Sequence, residues 1–257
     1  MQWMVIFKKE LLENWRNFKW VWVPIVFIIF AIMDPITTYY LPRIMESVGG
    51  MPDGAVIDIP MPSPPEALMM SYGEIGLIGV LIIVVISMGL ISSEIKSGVY
   101  ELILSKPVHY SNYITAKFAS MFLLVSISIV LGVVAAWYYV NVLFGDLGLV
   151  ETLVSVLFYL AYILLLLAIV MFFNTIFKSQ GLVAFVSIFV IIVLNVVTNI
   201  YKHMATWSPM LISDYIGAYL FSGQMETEIW WSTLIAIGLA VVLLIAAIGT
   251  LKNKAME

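Results

Sequence analysis

Long apolar runs alternate with short polar segments along this chain. Six of the runs are long enough to cross a bilayer as helices, which takes about 20 residues each. They cover residues 20–40, 72–91, 114–140, 152–177, 182–200 and 229–251. The pattern predicts an all-α integral membrane protein with six transmembrane helices, formed by one domain over residues 1–257.

Residues 1–19 are too charged to form a span, yet their aromatic residues share one helical face. That face comprises Trp3, Phe7, Leu11, Trp15, Phe18 and Trp22. Aromatic residues on one side and charges on the other are typical of a helix in the membrane interface. We therefore predict an interfacial amphipathic helix, with a helix packed on a partner protein as the alternative.

Two longer connections, residues 41–71 and 201–228, are predicted to be external segments. The first is rich in proline and the second in aromatic residues, which favours short helices near the interface in the second. The first also carries the methionines Met45, Met51, Met61, Met69 and Met70. Thioethers suit Cu(I), but the irregular spacing without His or Cys favours apolar packing over a metal site. Asp34, which precedes Pro35 near the end of the first span, is interpreted as a helix-end residue.

A polar island separates the second and third apolar runs. Its charged residues Glu94, Lys96, Glu101, Lys106 and Lys117 cannot lie in hydrocarbon, where each costs about 2.5–3.5 kcal/mol. After Gly98, the apolar residues Val99, Leu102 and Ile103 recur at helical spacing, and Pro107 ends the pattern. Residues 92–113 are therefore predicted to form a cytoplasmic coupling region with a short amphipathic helix that offers an apolar edge to another protein.

Composition and charge agree with a membrane location. The chain is 63% hydrophobic and 11% charged, against about 25% charged in soluble domains. It has no cysteine, which excludes disulfides and thiolate sites. Of the 12 basic residues, only Arg43 and Lys202 fall on the side opposite the termini. The positive-inside rule therefore predicts cytoplasmic termini and a cytoplasmic island.

No catalytic set is evident in the sequence. His109 and His203 fall on opposite sides of the predicted membrane, and no glycine-rich phosphate loop is present, so we expect neither enzymatic activity nor a bound metal or cofactor. Within the spans, Asn174, Asn195, Thr198 and Asn199 are notable polar residues. Hydrogen bonding between helices is their commonest use. A substrate pathway along Asn174, Asn195 and Asn199 is the alternative.

The island resembles the signature of ABC-2 type permeases, the membrane subunits of type V ABC exporters. The similar positions are Glu94, Lys96, Gly98, Leu102, Leu104, Pro107, Val108, Tyr113 and Lys117. The order of the N-terminal helix, six spans and a partly helical last external segment is also similar. Where a basic residue often follows the Pro-Val step, this chain has His109.

The resemblance implies a permease subunit driven by a separate cytoplasmic ATPase, which would bind ATP and Mg²⁺. Two permeases, expected to be a homodimer, would pair with two ATPase subunits in a prokaryotic plasma membrane, in contact with lipid and not with nucleic acid. The implied docking residues are Glu94, Lys96, Gly98, Val99, Glu101, Leu102, Ile103, Lys106 and Pro107. We expect the substrate to be hydrophobic or amphipathic, such as a drug, an antimicrobial peptide or a lipid-like compound.

Three other functions compete with this interpretation. A membrane enzyme would need convergent catalytic residues, which the sequence lacks. A carrier or channel acting without ATP would be expected to show charged relays or interrupted helices, whereas these spans read as continuous. A non-transporting sensor or immunity subunit with permease architecture remains open.

Overall fold

The computed structural model describes residues 2–47, 60–99 and 108–254, and the regular elements in these ranges are all helical. Six of its helical segments are long and apolar enough to cross a membrane, as predicted. The α-helices are α1 (Gln2–Arg16), α2 (Lys19–Ser47), α3 (Pro64–Glu74), α4 (Val80–Ser87), α5 (Ser92–Ser97), α6 (Tyr110–Leu143), α7 (Leu149–Ile176), α8 (Gln180–Ile200), α9 (Ile212–Ser222) and α10 (Thr227–Lys254). The spans are α2, the segment from α3 to α5, then α6, α7, α8 and α10.

Both flanking helices extend into residues 41–71, the first predicted external segment. Helix α2 continues to Ser47, and α3 begins at Pro64. The start of α3 is fixed by Glu66, whose carboxylate accepts hydrogen bonds from the Ser63 backbone N–H (2.7 Å) and hydroxyl (3.0 Å). Proline in the first turn costs no hydrogen bond, so the proline pair that suggested a loop instead starts a helix.

The second span is not the continuous helix that the sequence suggested. A π-helical segment, Ile75–Gly79, separates α3 from α4. A turn over residues 88–91 then separates α4 from α5, and Gly98 ends α5 in a left-handed conformation with φ of 75°. The regular helix is therefore interrupted at two places. Residues at both places contact candidate functional residues, which are described below.

Helix α7 forms the centre of the bundle. It is the most buried of the six candidate spans and packs against α6, α9 and α10. Helices α2 and α6 cross closely at Gly132, where a Cβ atom would lie 3.0 Å from the Phe27 carbonyl oxygen. By contrast, α8 and α10 expose most of their surfaces, as expected for helices that face lipid or another chain.

Helix α1 packs along the first turns of α6 rather than lying apart from the bundle. Trp3 and Phe7 of its predicted aromatic face are half-buried, and the Trp3 indole N–H donates to the Thr115 hydroxyl at 3.1 Å. Trp15 and Phe18 remain exposed. Phe18 lies at the turn into α2 and has a positive φ of 56°. The predicted aromatic face is therefore divided: Trp3 and Phe7 are half-buried, whereas Trp15 and Phe18 are exposed.

Residues 201–228, the second predicted external segment, contain a 3₁₀ turn, Pro209–Leu211, followed by α9. Helix α9 packs on α7 and α3 at the end of the bundle opposite the termini. The hydroxyls of Thr198 and Ser208 lie 2.8 Å apart and tie the end of α8 to this segment.

Candidate functional site

A buried ion-pair cluster joins α1, α5 and α6. The Lys117 ammonium lies 2.9 Å from a carboxylate oxygen of Glu10 and 2.9 Å from one of Glu94. The side chains of Lys117, Glu10 and Glu94 are only 3%, 5% and 14% exposed. Because buried charges are costly unless paired, this lysine needs both carboxylates, and together they hold the three helices in one arrangement.

Polar neighbours complete the cluster. The Tyr113 hydroxyl donates a hydrogen bond to the second carboxylate oxygen of Glu94, and the Tyr113 ring lies 5.3 Å from the Lys117 ammonium. One turn along α1, the Asn14 amide donates to the Ser120 hydroxyl at 3.2 Å. Glu94 is therefore held from two positions on α6, and α1 contributes two buried polar contacts of its own.

Lys9 adds a second, more exposed cation at the edge of the cluster. Its ammonium lies 3.3 Å from Glu10, 3.6 Å from Glu94 and 3.7 Å from Glu13, and its side chain is 52% exposed. Partial burial acts to lower the pKa of Lys9, but the carboxylates of Glu10, Glu94 and Glu13 outweigh it and raise that pKa above its ordinary value. The Lys9 ammonium is therefore charged at neutral pH, and its contribution to stability is lost when an alkaline pH passes the raised pKa.

Asn174 of α7 stabilises the break before α5. Its side-chain oxygen accepts hydrogen bonds from the backbone N–H groups of Ile91 and Ser92, both at 3.2 Å. Its amide donates to the carbonyls of Ser87 and Val170, both at 3.0 Å. The interrupted helix thus has its free backbone groups satisfied by one buried side chain, as a helix break at membrane depth requires.

A cleft of about 390 Å³ opens beside the cluster. It is lined by charged groups, including Glu10, Glu94, Lys117 and Lys19, and by Gln180 at the start of α8. The Lys19 ammonium donates to the Ile86 carbonyl at 3.3 Å. This end of the bundle is therefore a charged, internally paired surface from which the island emerges.

Comparison with known proteins gives a family. A family model described as "Protein of unknown function (DUF2705)" matches residues 58–256. The chain belongs to the DUF2705 family. It is also 29% identical over 234 residues to the "Uncharacterized transmembrane protein YxlG" of Bacillus subtilis (strain 168), with 91% of each chain covered. Together with the six apolar helices, this relative supports a multi-pass membrane protein.

In this DUF2705 chain, the structure describes only part of the predicted docking set. Glu94 lies in the ion-pair cluster, Lys96 is exposed, Gly98 ends α5, and Val99 is 40% exposed. The remaining docking residues, Glu101, Leu102, Ile103, Lys106 and Pro107, lie outside the described residues, as does Leu104. The docking edge itself therefore stays a prediction from sequence.

The three asparagines of the predicted substrate pathway lie in two places. Asn174 lies near the end of α7 at the break described above, and its four hydrogen bonds give it a structural task. Asn195 and Asn199 lie near the opposite end of the bundle, where they line a separate cavity. That cavity is also lined by the tyrosines Tyr72, Tyr159 and Tyr162.

Asp34 does not end a helix, because α2 continues past it to Ser47. Its carboxyl group lies within hydrogen-bonding reach of Glu74, the last residue of α3 before the π-helical segment. The described residues contain no group of three or more His, Asp or Glu side chains placed to hold a metal. Met61, Met69 and Met70 line one shallow pocket beside Glu66, and Met51 lies outside the described residues.

Sequence reasoning missed the part played by α1. Glu10 and Asn14 follow Trp3 and Phe7 at spacings of three and four residues, which places all four on one helical face. The predicted face instead continues through Leu11 and Trp15, because it is defined by aromatic and apolar residues alone. The position of Glu10 and Asn14 on the same helical face as Trp3 and Phe7 was the signal in the sequence that these two polar side chains could be buried.

Proposed function

We propose that this chain is the transmembrane subunit of an ABC-2 type exporter, driven by a separate cytoplasmic ATPase docked on the island. The observation that carries the proposal is the cluster around Lys117. Glu94, Tyr113 and Lys117 were each matched to the permease signature by sequence position alone, and they contact one another directly. Residues that belong to one sequence signature and also contact one another in the structure are expected to share a structural role.

The cluster gives the proposal a mechanism. An ATPase bound to the edge formed by Val99, Leu102 and Ile103 would displace the segment that begins with α5 when it closes on ATP. Helix α5 cannot move alone, because Glu94 ties it to Lys117 on α6 and Asn174 ties it to α7. Motion at the island is thereby passed to the spans as rigid bodies.

The same proposal fixes the orientation and the place of α1. The termini, the island and the turn at Lys178 face the cytoplasm of a prokaryotic plasma membrane. The exposed Trp15 and Phe18 rings enter the interface of that leaflet, while Glu10 reaches Lys117. A second copy of the chain completes the transport pathway, and the transported compound is hydrophobic or amphipathic.

Copurification tests the docking assignment. The tagged chain is purified in mild detergent from its native membrane and the bound proteins are identified. We expect a soluble ATPase with a glycine-rich phosphate-binding loop. Leu102→Asp should reduce its recovery about 30-fold, since loss of an interface hot spot costs about 2 kcal/mol or more.

Met61→Asp is the matched control, because it introduces the same charge at an exposed position at the other end of the bundle. It should leave the ATPase bound. Absence of an ATPase under conditions that preserve the native assembly, or equal recovery with Leu102→Asp, would contradict the proposal. If the ATPase is recovered but a variant of it that binds ATP without hydrolysis supports full function, the chain is a sensor subunit instead.

A further inference from the structure

A cavity of about 230 Å³ lies between α3, α7, α8 and α9, near the outer end of the bundle. The second and fifth spans contact each other through α4 and α5, nearer the island, and separate at the level of the cavity. Tyr72, Tyr159 and Tyr162 form its inner wall, and Asn195 and Asn199 line the side toward α8. The cavity is therefore a recess with polar groups in its wall, set between apolar spans.

One hydroxyl in this cavity has no hydrogen-bond partner among the described residues. Tyr159 is 1% exposed, and its hydroxyl is unpaired. The hydroxyl of Tyr72, by contrast, lies 2.6 Å from that of Ser155, which in turn donates to the Thr152 carbonyl. Tyr72 must therefore donate its proton to Ser155. Tyr159 alone among the three keeps both its donor and its acceptor free, since Tyr162 lies in hydrogen-bonding reach of Asn195.

The residue that faces this hydroxyl across the cavity wall is a glycine. Gly76 lies within the π-helical segment, and a Cβ atom on it would be 3.7 Å from the Tyr159 hydroxyl oxygen. Glycine at this position therefore keeps a methyl group away from the hydroxyl. π-Helical turns occur frequently at functional sites.

The charges around the cavity select against a charged ligand. Asp214 carries the one carboxyl group among the described lining residues, and that carboxylate already pairs with Lys202 at 2.5 Å. No lysine or arginine is found among the lining residues that the structure describes. An anion would lack a countercharge, and the one carboxylate that could serve a cation, that of Asp214, is already paired with Lys202. A neutral group that both donates and accepts hydrogen bonds matches the free hydroxyl and the two carboxamides.

We propose that this cavity binds the uncharged, hydroxyl- or amide-bearing end of a single-chain amphipathic molecule. Drug-sized pockets have volumes of about 300–1,000 Å³, so this cavity holds only the polar end. The apolar chain then extends past Gly73 and the exposed Leu77, along the gap between the second and fifth spans. The assignment of this molecule as the transported substrate rests on the proposed function, whereas the binding itself does not.

Four probes with the same alkyl chain test the ligand class: decanoylglycerol, decanamide, decanoate and decyltrimethylammonium. Binding to the purified chain in lipid nanodiscs, without any ATPase, is measured by titration calorimetry. We expect saturable binding of the two neutral probes. The two charged probes should bind about tenfold more weakly or worse, because the cavity offers no free countercharge.

Two variants test the site. Tyr159→Phe should weaken binding of decanoylglycerol about five- to tenfold, the effect of one lost hydrogen bond, without lowering the thermal stability of the chain. Gly76→Ala should abolish binding, because its methyl group fills the space before the hydroxyl at an ordinary contact distance. Tyr138→Phe is the control, since Tyr138 is exposed and does not line the cavity.

Equal binding of all four probes, no binding of the neutral ones, or unchanged affinity in both site variants would overturn the proposal. Loss of thermal stability in Tyr159→Phe would also overturn it, since it would mean that the hydroxyl serves a structural water. Because no ATPase is present, neutral-probe binding that depends on Tyr159 supports the site even if copurification of an ATPase fails. Failure of the exporter proposal and failure of this one are thereby distinguished.

Discussion

Lys117 is the residue whose surroundings constrain the fold most tightly. Its ammonium is nearly inaccessible and lies at 2.9 Å from carboxylates on two other helices. A buried ion pair of this kind adds little net stability compared with apolar residues of the same shape. It favours this arrangement of α1 and α5, however, because a shift of either helix would leave a buried charge unpaired.

Removing the lysine alone should therefore be severe. Lys117→Met leaves Glu10 and Glu94 buried without this countercharge and should lower the free energy of unfolding by about 3–5 kcal/mol. Unfolding by a denaturing detergent, followed by tryptophan fluorescence, measures the change. Lys202→Met is the control, because its partner Asp214 is 50% exposed and an exposed pair contributes about 0–1 kcal/mol.

The same cluster provides an internal rescue. Combining Lys117→Met with Glu10→Gln and Glu94→Gln removes all three charges and should recover most of the lost stability. A triple variant as unstable as Lys117→Met alone would show that the loss came from packing rather than from unpaired charge.

At the scale of elements, the break between α4 and α5 depends on a residue from another helix. Asn174 lies 82 positions from Ser92 in the chain, yet it supplies the hydrogen bonds that the interrupted helix lacks. The start of α5 is therefore held in place by the interior of the bundle.

Asn174→Leu should accordingly destabilise the chain more than a typical substitution. The N–H groups of Ile91 and Ser92 at the break would lose their partners, and each unsatisfied buried group costs about 1–3 kcal/mol. We expect a loss of about 3 kcal/mol or more in the same unfolding assay. Asn199→Leu is the matched control, since Asn199 is exposed and its amide bonds only within its own helix. Equal effects of the two variants would contradict the assignment.

These elements show what the sequence could and could not predict. The number of spans follows from hydropathy, because a run of about 20 apolar residues has the length of a transmembrane helix and is compatible with few other structures. The π-helical segment, the break at residues 88–91 and the cluster at Lys117 depend on contacts between distant residues, which local pattern does not encode. For the same reason, the three asparagines of the predicted substrate pathway lie in two separate places in the structure. The sequence identifies polar residues within the spans, but it does not show which of them already have hydrogen-bond partners.

At the scale of the whole molecule, the two ends of the bundle differ in charge. The end from which the island emerges carries basic residues, namely Lys8, Lys9, Arg16, Lys19 and the C-terminal Lys252 and Lys254. The other end carries the acidic Glu226 and Glu228 beside the start of α10. By the positive-inside rule this asymmetry predicts that the island faces the cytoplasm, where the ATPase of the proposed exporter would meet it.

Sidedness can be tested directly because the chain contains no cysteine. Gln224→Cys and Ser179→Cys each introduce a single exposed thiol, at the end near α9 and in the turn between α7 and α8 respectively. In intact cells, a membrane-impermeant maleimide should label Gln224→Cys, whereas Ser179→Cys should react only after permeabilisation. The reverse pattern would place the island outside the cell, where no ATP-driven partner could dock, and would exclude the exporter mechanism together with the predicted orientation.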